Sequence, residues 1–292
     1  MVLVTGAAGK TGRAVVRALV ARGMRVRALV RRDGQEPVVR ADGADEVVVG
    51  DLRDEALVGR AVRGAAAIYH ICPNVQPDEV AIGRQILAAA RADRIERFVY
   101  HSVLHPQTQA MPHHWQKLLV EESIVESNLA YTILQPASYM QNVLAGLDRI
   151  AQEGRYAVPY APDTRLGMVD LDDVAAAAAV VLSGSAHAGA AHYGATYELA
   201  GGEVLTQSEI AAILTRVLGR SVASEQVHPD EWAASARSSG LGAYQIETLL
   251  MMFRYYERNG FWGSPNVLTW LLGRPPATFE AVARRTLTHG TA

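Results

Sequence analysis

The amino-acid sequence predicts a doubly wound α/β domain, in which helices cover both faces of a parallel sheet. Short β-branched runs alternate with longer segments of helical composition over the first 135 residues. This alternation is typical of strand–helix–strand units. A glycine-rich turn follows the first run directly, and a chain of 292 residues is long enough to bury a single large core. Together these observations favour a parallel sheet with right-handed crossovers.

The elements follow in order along the chain. Strands are predicted at Val2–Thr5, Arg25–Val30, Glu46–Val49, Ala66–Ile71, Arg97–Ser102 and Ala130–Leu134. Helices are predicted between most of them, at Ala14–Arg22, Glu55–Arg63, Glu79–Ala92 and Gln116–Ser127. After Pro136 helical segments dominate, among them Tyr139–Gln152 and Gln207–Leu218, which predicts a core over residues 1–135 and a smaller, mostly helical C-terminal lobe over 136–292. Because no low-complexity linker separates them, we expect this lobe to be interleaved with the core rather than independent.

Composition and charge exclude several classes of protein. Hydrophobic residues make up 49% and charged residues 20% of the chain, which is typical of a globular protein. With 28 basic and 30 acidic residues, neither a nucleic acid nor a membrane surface is expected as a partner. A single cysteine, Cys72, excludes an intramolecular disulfide. The alanine-rich run Val174–Leu182 is too short to span a bilayer, so we expect a cytoplasmic protein.

The most specific local signal is the segment Val-Thr-Gly-Ala-Ala-Gly-Lys-Thr-Gly at residues 4–12. Gly6, Gly9 and Gly12 lie between the first strand and the first helix, where glycines permit a tight turn, close approach of a pyrophosphate and helix–strand packing. The helix N-terminus then favours an anion. The alternatives are a turn without a ligand or a Walker A loop. The second alternative is disfavoured because Val4 occupies the position of that loop's first glycine.

The ends of the second and third strands indicate which dinucleotide is bound. Arg31 and Arg32 favour NADP(H) over NAD(H), because guanidinium groups form bidentate bonds with a 2′-phosphate. The alternative is that both arginines are solvated. Asp51 is predicted to accept from the adenine amino group while Leu52 packs on the ring. Taken alone, Asp51 would be interpreted as a helix cap.

Motifs spread over nearly the whole chain resemble one family. They are Val-Thr-Gly-Ala-Ala-Gly-Lys-Thr-Gly at 4–12, Val-Arg-Arg at 30–32, Gly-Asp-Leu-Arg-Asp at 50–54, Phe-Val-Tyr-His-Ser at 98–102, Tyr-Thr-Ile-Leu-Gln-Pro at 131–136, Asn142, Asp-Leu-Asp-Asp-Val-Ala at 170–175 and Leu-Gly-Arg-Pro-Pro-Ala-Thr-Phe-Glu at 272–280. The sequence thus resembles the NmrA-like branch of the atypical short-chain dehydrogenases/reductases. The resemblance implies a Rossmann fold. It also implies either an NADPH-dependent reductase of quinones, dyes or phenylpropanoids, or an NADP-binding regulator.

The resemblance also implies which residues surround the cofactor. Around the pyrophosphate it places Gly6, Gly9, Lys10 and Thr11, and Ala8 and Gly12 complete the predicted set in this turn. Arg31 would take the 2′-phosphate. Along the cofactor it places Ile71, Cys72 and Pro73, and at the nicotinamide Ser102, Lys117 and Pro136.

The sequence departs from the wider superfamily at its acid–base pair. A Tyr-x-x-x-Lys motif is usual there, and here His113 stands in the tyrosine's place before Lys117. Gln135 likewise replaces the usual arginine. Lys117 and His113 are the predicted catalytic residues, with a solvated helix residue as the alternative for Lys117. A quinone-like acceptor is favoured, because its reduced oxyanion is already delocalised.

Two functional hypotheses remain from the sequence. The first is an NADPH-dependent oxidoreductase that reduces a small acceptor, with Tyr139 in an apolar wall and Asn142, on resemblance only, as an anchor. The second is an NADP(H) sensor that acts through a protein partner. A homodimer is open in both cases. No metal is expected, because the four histidines between His101 and His114 lack a carboxylate or cysteine at a familiar spacing.

Overall fold

The computed structural model describes residues 1–183 and 190–289. Two compact units divide the chain. The first comprises Met1–Gln107, His114–Gln135 and Asp172–Tyr197, and the second comprises Thr108–His113, Pro136–Leu171 and Glu198–Ala292. Each unit is therefore built from several separate stretches of sequence. The predicted boundary between residues 135 and 136, and the assignment of residues 136–292 as a substrate lobe, stay predictions.

Regular secondary structure covers most of the described chain. The strands are β1 (Val2–Val4), β2 (Val26–Val30), β3 (Glu46–Val49), β4 (Ala67–His70), β5 (Arg97–His101), β6 (Tyr131–Pro136), β7 (Ser138–Tyr139), β8 (Arg155–Val158), β9 (Arg165–Val169), β10 (Ala195–Leu199), β11 (Val204–Thr206) and β12 (Ala223–Gln226). The helices are α1 (Lys10–Val20), α2 (Glu36–Ala41), α3 (Glu55–Val62), α4 (Glu79–Ala92), α5 (Pro112–Val125), α6 (Met140–Leu144), α7 (Leu147–Glu153), α8 (Leu171–Ser183), α9 (Gln207–Leu218), α10 (Pro229–Ser238), α11 (Ala243–Asn259), α12 (Asn266–Leu272) and α13 (Phe279–His289).

The main sheet has seven strands in the order β10-β6-β5-β4-β1-β2-β3. Strands β1 to β6 pair in parallel, with β1 between β2 and β4. All six strands predicted for this region are confirmed, and so is the doubly wound fold class. The strand order reverses at β1, where such sheets bind ligands outside the carboxyl ends of their strands.

Helices pack on the sheet through a large apolar core. Leu3, Ile68 and Phe98 are almost fully buried on β1, β4 and β5, and they belong to one cluster with residues of α3, α4 and α5. Strands covered on both faces have continuous apolar runs rather than alternating ones, as Val2–Val4 shows. The amphipathic helix α1 buries Val15, Val16 and Leu19.

The second unit contains two small sheets as well as helices. One has the order β11-β9-β7, with β9 parallel to β7 and antiparallel to β11. The other pairs β8 with β12 in parallel. Helix α9 begins with a capping box between Thr206 and Glu209 and ends at Gly219 in the left-handed conformation. Among the described residues, no helix is both long and apolar enough to cross a membrane.

Candidate functional site

The turn after β1 has the geometry of an anion-binding loop. Gly6 adopts φ +58°, a left-handed conformation that glycine enters without strain. Helix α1 begins at Lys10 after Gly9, with no side chain capping it and no acidic residue in its first turn. The backbone N–H groups at this end and the positive end of the helix dipole therefore favour a phosphate.

Close packing around this turn requires glycine at two positions. A Cβ on Gly12 would overlap the carbonyl oxygen of Gly6 and lie 2.7 Å from the Cα of Ala7. A Cβ on Gly6 would lie 3.1 Å from the carbonyl oxygen of Ile71. Thr5 accepts a 2.9 Å hydrogen bond from the Ile71 N–H, which joins the ends of β1 and β4. The turn and Ile71 are therefore neighbours, as the prediction for Ile71 requires.

A cleft of about 690 Å³ lies at the ends of β2 and β3, lined by Arg31, Arg32, Gln35 and Asp51. Gln35 fixes the backbone at the end of β2, because its side-chain oxygen accepts from the backbone N–H groups of Arg31 at 3.0 Å and Arg32 at 3.1 Å. Both arginine side chains are exposed. Two cations in an open cleft suit a doubly charged phosphate group.

Arg53 is a neighbour of this cleft that the sequence analysis did not single out. Its Nε and Nη2 donate to the two carboxylate oxygens of Asp51 at 3.0 and 2.9 Å. Arg31 Nε lies 3.6 Å from Asp51 Oδ2. The hydrogen bonds from Arg53 lower the pKa of Asp51 to about 2. The sequence signal that could have identified Arg53 is the Gly-Asp-Leu-Arg-Asp motif, in which Arg53 follows Asp51 by two residues. A role for Asp51 toward adenine stays a prediction.

The next predicted cofactor residues differ in exposure. Leu52 and Cys72 are buried in the apolar core of the first unit, Ile71 is half-buried and Pro73 is exposed. Burial, followed by the nearby Glu79 carboxylate, raises the pKa of the Cys72 thiol. Cys72 therefore behaves as a small buried apolar residue. Direct contact of Leu52, Ile71, Cys72 or Pro73 with a cofactor stays a prediction.

Lys117 is a buried residue that forms an ion pair. Its side chain is 4% exposed, and its Nζ lies 2.8 Å from Oε1 of Glu79, whose side chain is fully buried. The ammonium also donates to the backbone carbonyl of His101 at 3.1 Å and lies 5.0 Å from the centroid of the Tyr100 ring. The alternative of a solvated helix residue is therefore wrong for Lys117. Sequence reasoning missed Glu79, which carries no motif of its own.

The two histidines and the tyrosine around the ion pair of Lys117 and Glu79 are neutral near pH 7. Burial, with Lys117 as a second cause, lowers the pKa of His70 to about 3 and that of His101 to about 3. His101 Nδ1 lies 2.7 Å from the hydroxyl of Tyr69. The Tyr100 hydroxyl donates to Glu79 at 2.9 Å, and burial raises the pKa of Tyr100 well above its usual value.

A second buried carboxylate, Glu121, contacts the predicted nicotinamide residue Ser102. The Ser102 hydroxyl donates to Oε1 of Glu121, and Gln135 Nε2 lies 3.0 Å from both carboxylate oxygens. Burial raises the pKa of Glu121 despite these hydrogen bonds and the nearby Lys117. Gln135, which stands where relatives are expected to carry arginine, thus positions a carboxylate. Sequence reasoning missed Glu121 as well.

Four predicted residues belong to the second unit. His113 is buried in the first turn of α5, and Pro136 is buried at the end of β6. Tyr139 is half-buried. Asn142 is exposed on α6, and its side-chain amide donates to Ser138 Oγ at 3.4 Å. The catalytic role of His113, the nicotinamide contact of Pro136 and the substrate roles of Tyr139 and Asn142 stay predictions.

Metal ligation has no candidate site in the part of the chain that the structure describes. No group of three or more histidine, cysteine or acidic side chains there could hold a metal ion. Of the four histidines between residues 101 and 114, His101 ends a strand beside Tyr69, and His114 Nδ1 lies 2.9 Å from the backbone carbonyl oxygen of Leu104.

A parallel sheet with a glycine turn after the strand at which the strand order reverses, and an arginine-lined cleft beside it, defines a dinucleotide-binding protein. The model of the NmrA-like family matches residues 1–270. The chain belongs to the NmrA-like family.

Several reductases are similar to this protein over almost the whole chain. Quinone oxidoreductase 2 of Escherichia coli is 28% identical over 280 residues, which is 95% of this chain and 96% of that protein. A (4-alkanoyl-5-oxo-2,5-dihydrofuran-3-yl)methyl phosphate reductase of Streptomyces griseus is 31% identical over 287 residues, 96% of this chain and 95% of that protein. The crystal structure of an NADPH-dependent quinone oxidoreductase from Escherichia coli, complexed with NADPH, matches with a TM-score of 0.84 at 26% identity. This match covers 98% of this chain and 100% of the other.

Proposed function

We propose that this protein is an NADPH-dependent oxidoreductase that transfers hydride to a small, quinone-like or aromatic acceptor. Its cofactor is NADP(H). The observation that carries the proposal is the cleft lined by Arg31, Arg32 and Asp51, one strand away from the glycine turn that follows β1. The turn and the cleft fit the two anionic parts of the cofactor, the pyrophosphate and the 2′-phosphate.

The residues present fit both the pyrophosphate and the 2′-phosphate of the cofactor. The N–H groups at the start of α1 would hold the pyrophosphate, and Arg31 and Arg32, with Arg53 beside them, would hold the 2′-phosphate. Bound NADPH supplies the hydride. For a quinone, one hydride and one proton enter the acceptor, giving hydroquinone and NADP⁺. In this proposal Lys117, a buried ammonium ion, contributes the hydrogen-bond donor for the developing oxyanion.

The departure of the sequence from the Tyr-x-x-x-Lys motif supports a quinone-like acceptor. The chain has no tyrosine four residues before Lys117, where His113 stands instead. An acceptor whose reduced oxyanion is delocalised needs less acid catalysis than a ketone. The names of the relatives described above agree with reductase chemistry, so a regulatory role through a protein partner is not favoured. A homodimer and a cytoplasmic location remain predictions from the sequence.

The test is NADPH consumption by the purified protein with a panel of quinones, aldehydes, ketones and azo or triarylmethane dyes. We expect turnover with quinones or dyes and faster turnover with NADPH than with NADH. Binding of NADPH is measured in the same sample by protein fluorescence. Confirmed binding without turnover on any acceptor would contradict the reductase proposal and favour the sensor.

A further inference from the structure

On the basis of the proposed reductase function, we propose that Glu79 is the positioning residue for Lys117. Glu79 fixes the direction of the ammonium group and keeps it charged, so that Lys117 meets the acceptor as a hydrogen-bond and proton donor. In this arrangement Glu79 orients the lysine, and His113 stands in the place of the usual tyrosine.

The geometry around Glu79 supports this role. Its carboxylate, on the first residue of α4, is fully buried. Oε1 accepts from Lys117 Nζ at 2.8 Å and from the Tyr100 hydroxyl at 2.9 Å. Oε2 is also buried and accepts from no nitrogen or oxygen donor among the described groups, and the Cys72 thiol lies near the carboxylate. A buried carboxylate oxygen without a nitrogen or oxygen donor is unfavourable for stability, which argues against a purely structural role.

Glu79 is the closest counter-charge to the ammonium. The other titratable groups facing Lys117, from β4 and the residues after it, from β5 and from α5, are His70, Cys72, Tyr100, His101, His114 and Glu121. Burial keeps the histidines, the thiol and the phenol neutral near pH 7. The second carboxylate, Glu121, is bound to Ser102 and Gln135 instead. Glu79 is therefore the carboxylate paired with the Lys117 ammonium group.

The choice of lysine itself supports a proton-handling role. Only two of the 28 basic residues are lysines, Lys10 in the glycine turn and Lys117, and all others are arginines. A guanidinium group would satisfy a structural ion pair with Glu79 and would remain charged at any physiological pH. An ammonium group is the one that can release its proton to a reacting oxygen.

The small number of lysines makes a direct measurement practical. Protein labelled with ¹³C- and ¹⁵N-lysine gives two side-chain signals, which a Lys117→Met variant assigns. In Glu79→Gln, we expect the Lys117 signal to titrate at a pH lower by about one unit or more, because the buried ammonium loses its counter-charge. Glu79→Asp retains the charge and should stay close to the wild type. A signal in Glu79→Gln that titrates as in the wild type would overturn the proposal.

A matched control separates this effect from the general loss of a buried ion pair. Asp42 is also a buried carboxylate of the first unit, bound by Arg13 at 2.7 Å and Arg17 at 3.0 Å. Asp42→Asn should leave the Lys117 signal unchanged. A comparable shift of that signal in Asp42→Asn would mean that the titration reports loosening of the fold rather than the contact with Glu79.

Turnover provides the second readout. We expect Glu79→Gln to lower kcat by about tenfold or more with the KM for NADPH within about twofold, and the deficit to grow as pH rises. Glu79→Asp should restore part of kcat. A loss that is independent of pH contradicts the proposal. If Glu79→Gln does not fold, Lys117→Arg replaces it, since arginine keeps the charge and the ion pair with Glu79 but cannot release its proton. An unchanged kcat in Lys117→Arg would contradict the proposal. Absence of turnover in the wild type would overturn the proposed function alone, because the lysine titration needs neither cofactor nor acceptor.

Discussion

Replacing Arg31 by alanine tests the cofactor assignment most directly. Arg31 lines the cleft at the end of β2 and has a 69% exposed side chain. Its ionic contact with Asp51 is long, with 3.6 Å between Arg31 Nε and Asp51 Oδ2, so the guanidinium is available to an anion. A hydrogen bond to a charged group contributes about 1.5–3 kcal/mol. Because the side chain is exposed, we expect the lower end of that range.

A loss of about 1.5 kcal/mol corresponds to roughly tenfold weaker NADPH binding. NADH has no 2′-phosphate, so its affinity should change by less than about twofold. The assay is a fluorescence titration of each cofactor at constant ionic strength, repeated at higher salt, where the NADPH-specific loss should shrink. Arg40→Ala is the matched control. It removes an exposed arginine of α2 that binds Glu36 at 2.7 Å, outside the cleft.

Equal losses of NADPH and NADH affinity in Arg31→Ala would refute the assignment of this cleft to the 2′-phosphate. An equal loss of NADPH affinity in Arg40→Ala would show that net charge alone sets the binding. Arg32 and Arg53 remain in the variant, so a residual preference for NADPH is compatible with the assignment. A wild-type protein that binds NADPH and NADH equally well would contradict it.

Three further variants lie in the first unit. Gly12→Ala should weaken NADPH binding by more than about tenfold and destabilise the fold by about 1–3 kcal/mol, because its Cβ would overlap backbone atoms of Gly6 and Ala7. Gly59→Ala, on α3 where a Cβ meets nothing within 4 Å, should instead stabilise the fold in thermal unfolding. Asp42→Asn should lower the free energy of unfolding by about 1–3 kcal/mol at neutral pH. Burial tends to raise the pKa of Asp42, but hydrogen bonds from Arg13 and Arg17 outweigh it and hold the pKa below its ordinary value. The wild-type carboxylate therefore stabilises the fold above about pH 4, and its advantage over Asp42→Asn should disappear as pH falls further in urea unfolding series. A constant difference down to pH 2 would contradict this reasoning.

The main sheet could be predicted from sequence because its strands are short apolar runs between amphipathic helices. Helix α4 has the predicted bounds, Glu79–Ala92, and so does α9. The predicted helix Tyr139–Gln152 is instead two helices, α6 and α7, since Gly146 precedes the second as its N-cap. Strand β12 has the sequence Ala-Ser-Glu-Gln, which carries no apolar alternation, and only its pairing with β8 makes it a strand.

The parts of the site that depend on local motifs could be predicted, and the parts that depend on distant contacts could not. The glycine turn and Arg31 lie in sequence contexts that define their geometry. Glu79 lies 38 positions before Lys117 and contacts it only because α4 and α5 pack on one face of the sheet. Glu121, on α5, likewise contacts Ser102 only because the folded chain brings it to the end of β5. The sequence holds many glutamates, and burial alone separates these two from the solvated ones.

The energetics of a buried ion pair bear on the role of Glu79 and Lys117. Replacement of a buried ion pair by apolar residues of similar volume is often neutral or stabilising, so stability alone does not explain why Glu79 and Lys117 are charged. Removal of one partner, by contrast, costs about 3–5 kcal/mol, which makes the two charges dependent on each other. The ion pair with Glu79 holds the Lys117 ammonium in a fixed direction, in surroundings where His70 and His101 stay neutral. In the proposed reductase, that arrangement would be preorganised for the negative charge that develops on the acceptor oxygen.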